Sequence, residues 1–67
     1  MIELNGQPSE LRAGQSIAAV LAQIGLAHDA PGIAVAVDGE VVARSTWASF
    51  LLPEDARVEI LTAMQGG

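Results

Sequence analysis

Cysteine and lysine are both missing from this chain of 67 residues. Without cysteine there is no disulfide and no thiolate metal site. That fits a cytoplasmic protein, the location we expect. Long apolar runs are missing too. None approaches the roughly 18 residues of a membrane span, so no membrane association is expected. The N-terminus has no charged segment followed by an apolar stretch, so no signal peptide is expected. Positive charge is scarce. Arg12, Arg44 and Arg57 face eight carboxylates, for a formal charge of −5. A nucleic-acid binder normally carries a basic stripe to neutralise phosphates, and this chain cannot build one. The acidic surplus has two readings: simple solubility, or steering toward basic surfaces on partner enzymes.

Catalytic constellations are missing as well. There is no metal-ligand spacing, no Ser-His-Asp set and no glycine-rich phosphate loop. His28 is the sole histidine and falls in a loop, where it reads as a solvated side chain. Asp29, Glu54 and Asp55 fall in turns, which Asp favours for local reasons. A domain this small buries only about 60% of the surface its unfolded chain exposes. It has few elements to spare for the walls of a pocket. The expectation is a carrier, adaptor or subunit that binds no metal or cofactor of its own, rather than a stand-alone enzyme.

What is present is a folded pattern. Hydrophobic residues make up 51% of the chain, the level of a globule. Ile2 and Leu4 alternate with Glu3 and Asn5, which predicts a strand. Asn5-Gly6 predicts a hairpin turn, since both positions tolerate positive φ. The returning strand is expected from about Gln7 to Leu11, with Pro8 at an edge. Ser16 is a helix N-cap candidate. Ile17, Val20, Leu21 and Ile24 then recur at helical spacing, and Gly25 suits the left-handed position that ends the helix. Leu26 to Gly32 reads as a connection. Ile33, Val35 and Val37 alternate with Ala34 and Ala36 in a third strand. Asp38-Gly39 predicts a second hairpin, returning along Glu40 to Ala43. Ser45 to Ser49 reads as a helical turn, with Trp47 and Phe50 closing the core. Pro53-Glu54-Asp55 is a turn, and Arg57 to Leu61 is the last strand.

Two hairpins flanking one helix imply an α+β fold. The order permits a β-grasp, or ubiquitin-like, arrangement. That is a mixed sheet of four to five strands, one main helix on one face, and the last strand between the first and third. The expected organisation is a domain over 1–62 and a flexible tail over 63–67 ending in Gly66-Gly67. If the helix covers one sheet face, Ala34, Ala36 and Leu61 lie on the other. They are then candidates for partner contact, or ordinary exposed surface. Met64 and Gln65 are further contact candidates.

A terminal Gly-Gly alone is also what a frayed end looks like. Its weight comes from following a β-grasp order. A carboxylate resists nucleophilic attack, whereas its mixed anhydride with AMP does not. Reaching ATP requires the chain end to thread a narrow channel. Glycine, without a Cβ, lets the backbone approach closely. With no cysteine, sulfur carried by this chain has no side-chain thiol to sit on. With no lysine, an activated end has no internal ε-amine to react with.

Residues along nearly the whole chain resemble the sulfur carrier protein of thiamine biosynthesis. The likeness includes Met1-Ile2-Glu3-Leu4-Asn5-Gly6 and Ala13-Gly14-Gln15-Ser16. It continues through Ile33-Ala34-Val35-Ala36-Val37-Asp38-Gly39 and Val42-Ala43-Arg44-Ser45-Thr46-Trp47 to Gly66-Gly67. The arginine followed three residues later by tryptophan is its most discriminating internal feature. Met64-Gln65 stands where that family often has Ala, Val or Gly. The resemblance implies that an E1-like adenylyltransferase, consuming ATP, adenylates the carboxyl of Gly67. A desulfurase system then supplies sulfur from cysteine, and the thiocarboxylate serves thiazole synthase. Gly66 gives access, and the carrier itself catalyses nothing. The alternatives are the small subunit of molybdopterin synthase, a ubiquitin-like modifier joined to lysines, and a binding module with an inert tail.

Overall fold

The computed structural model describes residues 1–27 and 31–62. The elements run in the order β1 (Glu3–Leu4), β2 (Gln7–Pro8), α1 (Ile17–Gln23), β3 (Ile33–Val37), β4 (Glu40–Val41), a 3-10 turn (Arg44–Thr46) and β5 (Arg57–Thr62). The sheet order is β2-β1-β5-β3-β4. β1 and β5 are parallel, and the other pairs are antiparallel. The last strand therefore lies between the first and third, as the β-grasp order requires. Among the described residues, no helix is long and apolar enough to cross a membrane.

Both hairpin turns form where the sequence marks them. Asn5 and Asp38 each take φ 51°, and Gly6 and Gly39 follow at 84° and 87°. Paired positive φ values match the twist of the flanking strands. The return strands are shorter than expected. β2 stops at Pro8 because Ser9 turns the chain inward. Its main-chain N–H and its hydroxyl both donate to the Ile2 carbonyl, and its oxygen accepts from the Leu11 N–H. Pro8, lacking an N–H, occupies the edge strand, where none is needed. β4 stops at Val41, although the Val42 N–H still donates to Val35 at 2.8 Å.

Ser16 caps α1, its hydroxyl accepting from the Ala19 N–H at 3.1 Å. At the other end Gly25 takes φ 87°. Its N–H donates to Ala22, and that of Leu26 donates to Leu21. These two bonds form a Schellman motif. Ile17, Val20 and Leu21 are buried, but Ile24 is 37% exposed. The apolar stripe ends one residue early because Ile24 is the cap, where the chain already leaves the helix axis.

The core lies between α1 and one face of the sheet. Ile17, Val20 and Leu21 meet Val35, Val37, Val58 and Ile60, while Ile2, Leu11, Val42 and Leu52 close the sides. Each such side chain contributes about 1.5–3 kcal/mol on burial. Trp47 belongs to this core and Phe50 packs half-buried against it. No polar or charged side chain is buried among the described residues.

Candidate docking face and C-terminal segment

Strand alternation sends successive side chains of β5 to opposite faces. Val58 and Ile60 enter the core, while Arg57, Glu59 and Leu61 face outward. In β3 the same alternation buries Val35 and Val37 and turns Ala34 and Ala36 the other way. The register pairs Ala34 with Leu61 and Ala36 with Glu59 on β5, and Ala36 with Val41 on β4. Ala34, Ala36 and Leu61 therefore share the face opposite α1, as the sequence predicts.

The open face is not uniform. At the start of β5, Glu3, Asp38, Arg57 and Glu59 line a depression between the glycines of the two hairpin turns. Toward the end of β5 the face becomes apolar. Leu61 is 69% exposed and Val41 is 80% exposed. Together with Ala34, Ala36 and Glu59 they line a shallow groove. The two larger side chains stand beside an alanine floor, because directly paired residues lie only about 5 Å apart across strands. Sequence reasoning missed Val41. The signal was present in Val41-Val42, where one of two adjacent valines in a strand must face away from the core.

Thr62 ends β5 and is the last described residue. The expected functional residues Met64, Gln65, Gly66 and Gly67 lie outside the described residues, as do His28 and Asp29. Among the described residues there is no group of His, Cys, Asp and Glu that could hold a metal ion. Two side chains reach β5 from the hairpin turns. The Asn5 carboxamide bonds to Ile60, and the Asp38 carboxylate accepts from the Arg57 N–H at 2.9 Å. Neither contact is legible in the sequence.

One ion pair joins the chain start to a turn. The Met1 ammonium donates to the Asp55 carboxylate. The hydrogen bond from the ammonium, then its charge, holds the Asp55 carboxyl below its ordinary value. The hydrogen bond to Asp55, then its charge, raises the amine above its own. Asp55 sits at φ 57°, a conformation Asp tolerates in turns.

Known proteins are similar to this chain in sequence or in fold. A thiazole synthase of Magnetococcus marinus is 33% identical over 66 residues, 98% of this chain. The chain spans only 20% of that protein's length. The crystal structure of the thiamine biosynthesis protein ThiS from Geobacter metallireducens matches with a TM-score of 0.79 at 26% identity, over 98% of this chain and 97% of that one. A solution structure of a thiamine biosynthesis protein from the same organism gives a TM-score of 0.76 at 26% identity, over 98% and 86%. The ThiS family model matches residues 2–67, so the match takes in every strand and the helix described above, and on that ground the chain belongs to the ThiS family.

Proposed function

We propose that this chain is a sulfur carrier for thiamine biosynthesis, acting through the carboxyl of Gly67. The observation that carries the reading is the family match over residues 2–67. The sheet order supports it, because the central strand is the one that leads to Met64-Gln65-Gly66-Gly67. A strand held on both sides is a firm base from which to present a chain end.

The chemistry follows in two displacements. An oxygen of the Gly67 carboxylate attacks the α-phosphorus of ATP on an E1-like adenylyltransferase, and pyrophosphate leaves. Sulfur at the sulfide level, freed from the persulfide of a desulfurase system by a thiol that ends as a disulfide, then attacks the acyl carbon, and AMP leaves. The Gly67 thiocarboxylate donates its sulfur to thiazole synthase. Gly66 gives the backbone room in the activating enzyme. The chain acts as a protein co-substrate and catalyses neither step. It binds no cofactor of its own, and ATP is consumed by the partner.

The relative from Magnetococcus marinus supports thiazole synthase as the acceptor. There a segment like this chain is part of a protein of that name. The open face supplies the docking surface in this reading. Ala34, Ala36, Leu61 and Val41 offer apolar contact near the end of β5, and Met64 and Gln65 are proposed as further contacts by their place in the sequence.

Intact-mass spectrometry tests the reading. Incubation with ATP, the activating enzyme and a sulfur donor is expected to replace one terminal oxygen by sulfur. Deleting Gly67 is expected to abolish the change without unfolding the domain. An unchanged mass, under conditions that modify an authentic carrier, overturns the proposal. Adducts on lysines of other proteins point to a modifier instead.

A further inference from the structure

β1 ends too early to pair with all of β5. Leu4 is opposite Val58, and β5 continues to Thr62. Main-chain groups of successive strand residues point to opposite edges. The Val58 carbonyl faces the β1 edge and accepts from the Asn5 N–H at 2.8 Å. Ile60 is the next residue to face that edge, and β1 has no residue left for it. An unmet pair of main-chain groups beside a buried side chain is costly.

The Asn5 side chain fills the gap. Its Oδ1 accepts from the Ile60 N–H at 2.8 Å, and its Nδ2 donates to the Ile60 carbonyl at 3.3 Å. A carboxamide is itself an amide, so it can stand in for a missing peptide group on both counts. Asp cannot do this, because a carboxylate has no donor for the carbonyl. Asn also accepts the φ of 51° that the turn imposes.

The second hairpin supplies a matched comparison. Asp38 has the same φ and also precedes a glycine. Its N–H donates to the Arg57 carbonyl, and its Oδ1 accepts from the Arg57 N–H. It holds β5 from the opposite edge, at the start of the strand rather than near its end.

We propose that Asn5 is a positioning residue for the C-terminal segment. By pairing with both main-chain groups of Ile60, it fixes Leu61 and Thr62 and thus the point from which residues 63–67 continue. The proposal rests on the carrier reading above. It assigns the Asn-Gly turn a role in presenting the chain end, in addition to its role in making a hairpin.

The test compares Asn5→Gly with Asp38→Gly in the full chain. Glycine keeps both turns without strain and removes only the side-chain bonds. In Asn5→Gly, amide exchange at Ile60 is expected to rise about tenfold relative to Val20. In ATP–pyrophosphate exchange by the activating enzyme, kcat is expected to fall about tenfold, with KM for the carrier within about twofold. Asp38→Gly is expected to leave kcat unchanged, with any effect of the lost charge on docking confined to KM. Asn5→Asp, which keeps the acceptor and the turn but loses the donor, is expected to fall between Asn5→Gly and the natural chain. An unchanged kcat in Asn5→Gly overturns the proposal, as do equal losses in the two glycine variants, which would mark a general stability effect. If the natural chain supports no exchange at all, the carrier reading and this proposal fall together.

Discussion

The Arg44 guanidinium lies over the Trp47 ring, 4.6 Å from its centroid, while the indole N–H on the same ring donates to the Val42 carbonyl at 2.9 Å. One side chain therefore closes the core, satisfies a buried carbonyl and carries a cation on its face. Trp47→Phe keeps an aromatic ring but leaves the Val42 carbonyl unmet, at about 1–3 kcal/mol. Trp47→Ala adds a cavity and costs about 3–5 kcal/mol, enough to unfold much of so small a domain. Arg44→Ala gives up about 0.5–1 kcal/mol from an exposed cation on a ring. Denaturant unfolding followed by circular dichroism is expected to show the largest loss in Trp47→Ala, a smaller one in Trp47→Phe and the smallest in Arg44→Ala, with m unchanged between Arg44→Ala and the natural chain.

Gly25 offers a cleaner probe of the helix end. It takes φ 87°, and a Cβ placed there meets nothing within 4 Å. The cost of Gly25→Ala is thus conformational rather than steric. A left-handed L-residue costs about 1–2 kcal/mol, and the thermal midpoint is expected to fall accordingly. Ala22→Gly, at an exposed position inside the same helix, costs about 1 kcal/mol through chain entropy instead. The two positions share the cap hydrogen bond from the Gly25 N–H to the Ala22 carbonyl, so the two losses are expected to depart from strict additivity in the double variant.

The sequence marks turns and faces more firmly than lengths. Asn5-Gly6, Asp38-Gly39, Ser16 and Gly25 all sit where local chemistry alone dictates the conformation. Strand alternation likewise separates Ala34, Ala36 and Leu61 from Val35 and Ile60. The lengths of β2 and β4 depend on what the chain does next. The Ser9 contact with Ile2 ends one of them, and no periodicity announces it. The contact of Asn5 with Ile60 spans most of the chain, so it exists only once β1 and β5 are paired. Gly66 and Gly67 are legible as a motif, but their role rests on chemistry with partners that a single chain does not contain.

The pair of Met1 and Asp55 sets a pH window. The Asp55 carboxyl lies below its ordinary 3.8, so its contribution is present above that value and fades as pH falls through the lowered one. The amine lies above its ordinary 8.0, so its contribution is present below that value and fades as pH rises through the raised one. The pair therefore helps the fold across the range between. Both groups are exposed, at 67% and 80%, so solvent screens the effect. Asp55→Asn is expected to return the amine toward 8.0, as an NMR titration of Met1 would show. Amine-directed acylation at neutral pH should then run faster. The chain has no lysine, so that label reports on Met1 alone.

The open face makes the last prediction. Leu61 and Val41 are exposed beside the alanines of β3, so they contribute little to folding. Leu61→Thr and Val41→Thr keep β-favouring side chains and change no charge. Each is expected to alter stability by no more than about 0.5 kcal/mol. If this face docks on the activating enzyme, the double substitution removes the centre of an apolar contact. KM for the carrier is then expected to rise about tenfold or more. Ala19→Ser, on the helix face away from the groove, is expected to leave KM unchanged. Salt separates this effect from steering by the charge of −5. Steering acts on the encounter rate and weakens as ions screen it. The threonine substitutions leave the charge intact, so the salt dependence of association should match that of the natural chain while the affinity falls. A changed salt dependence with unchanged affinity would instead assign recognition to the charged end of the face, around Glu3, Asp38 and Glu59.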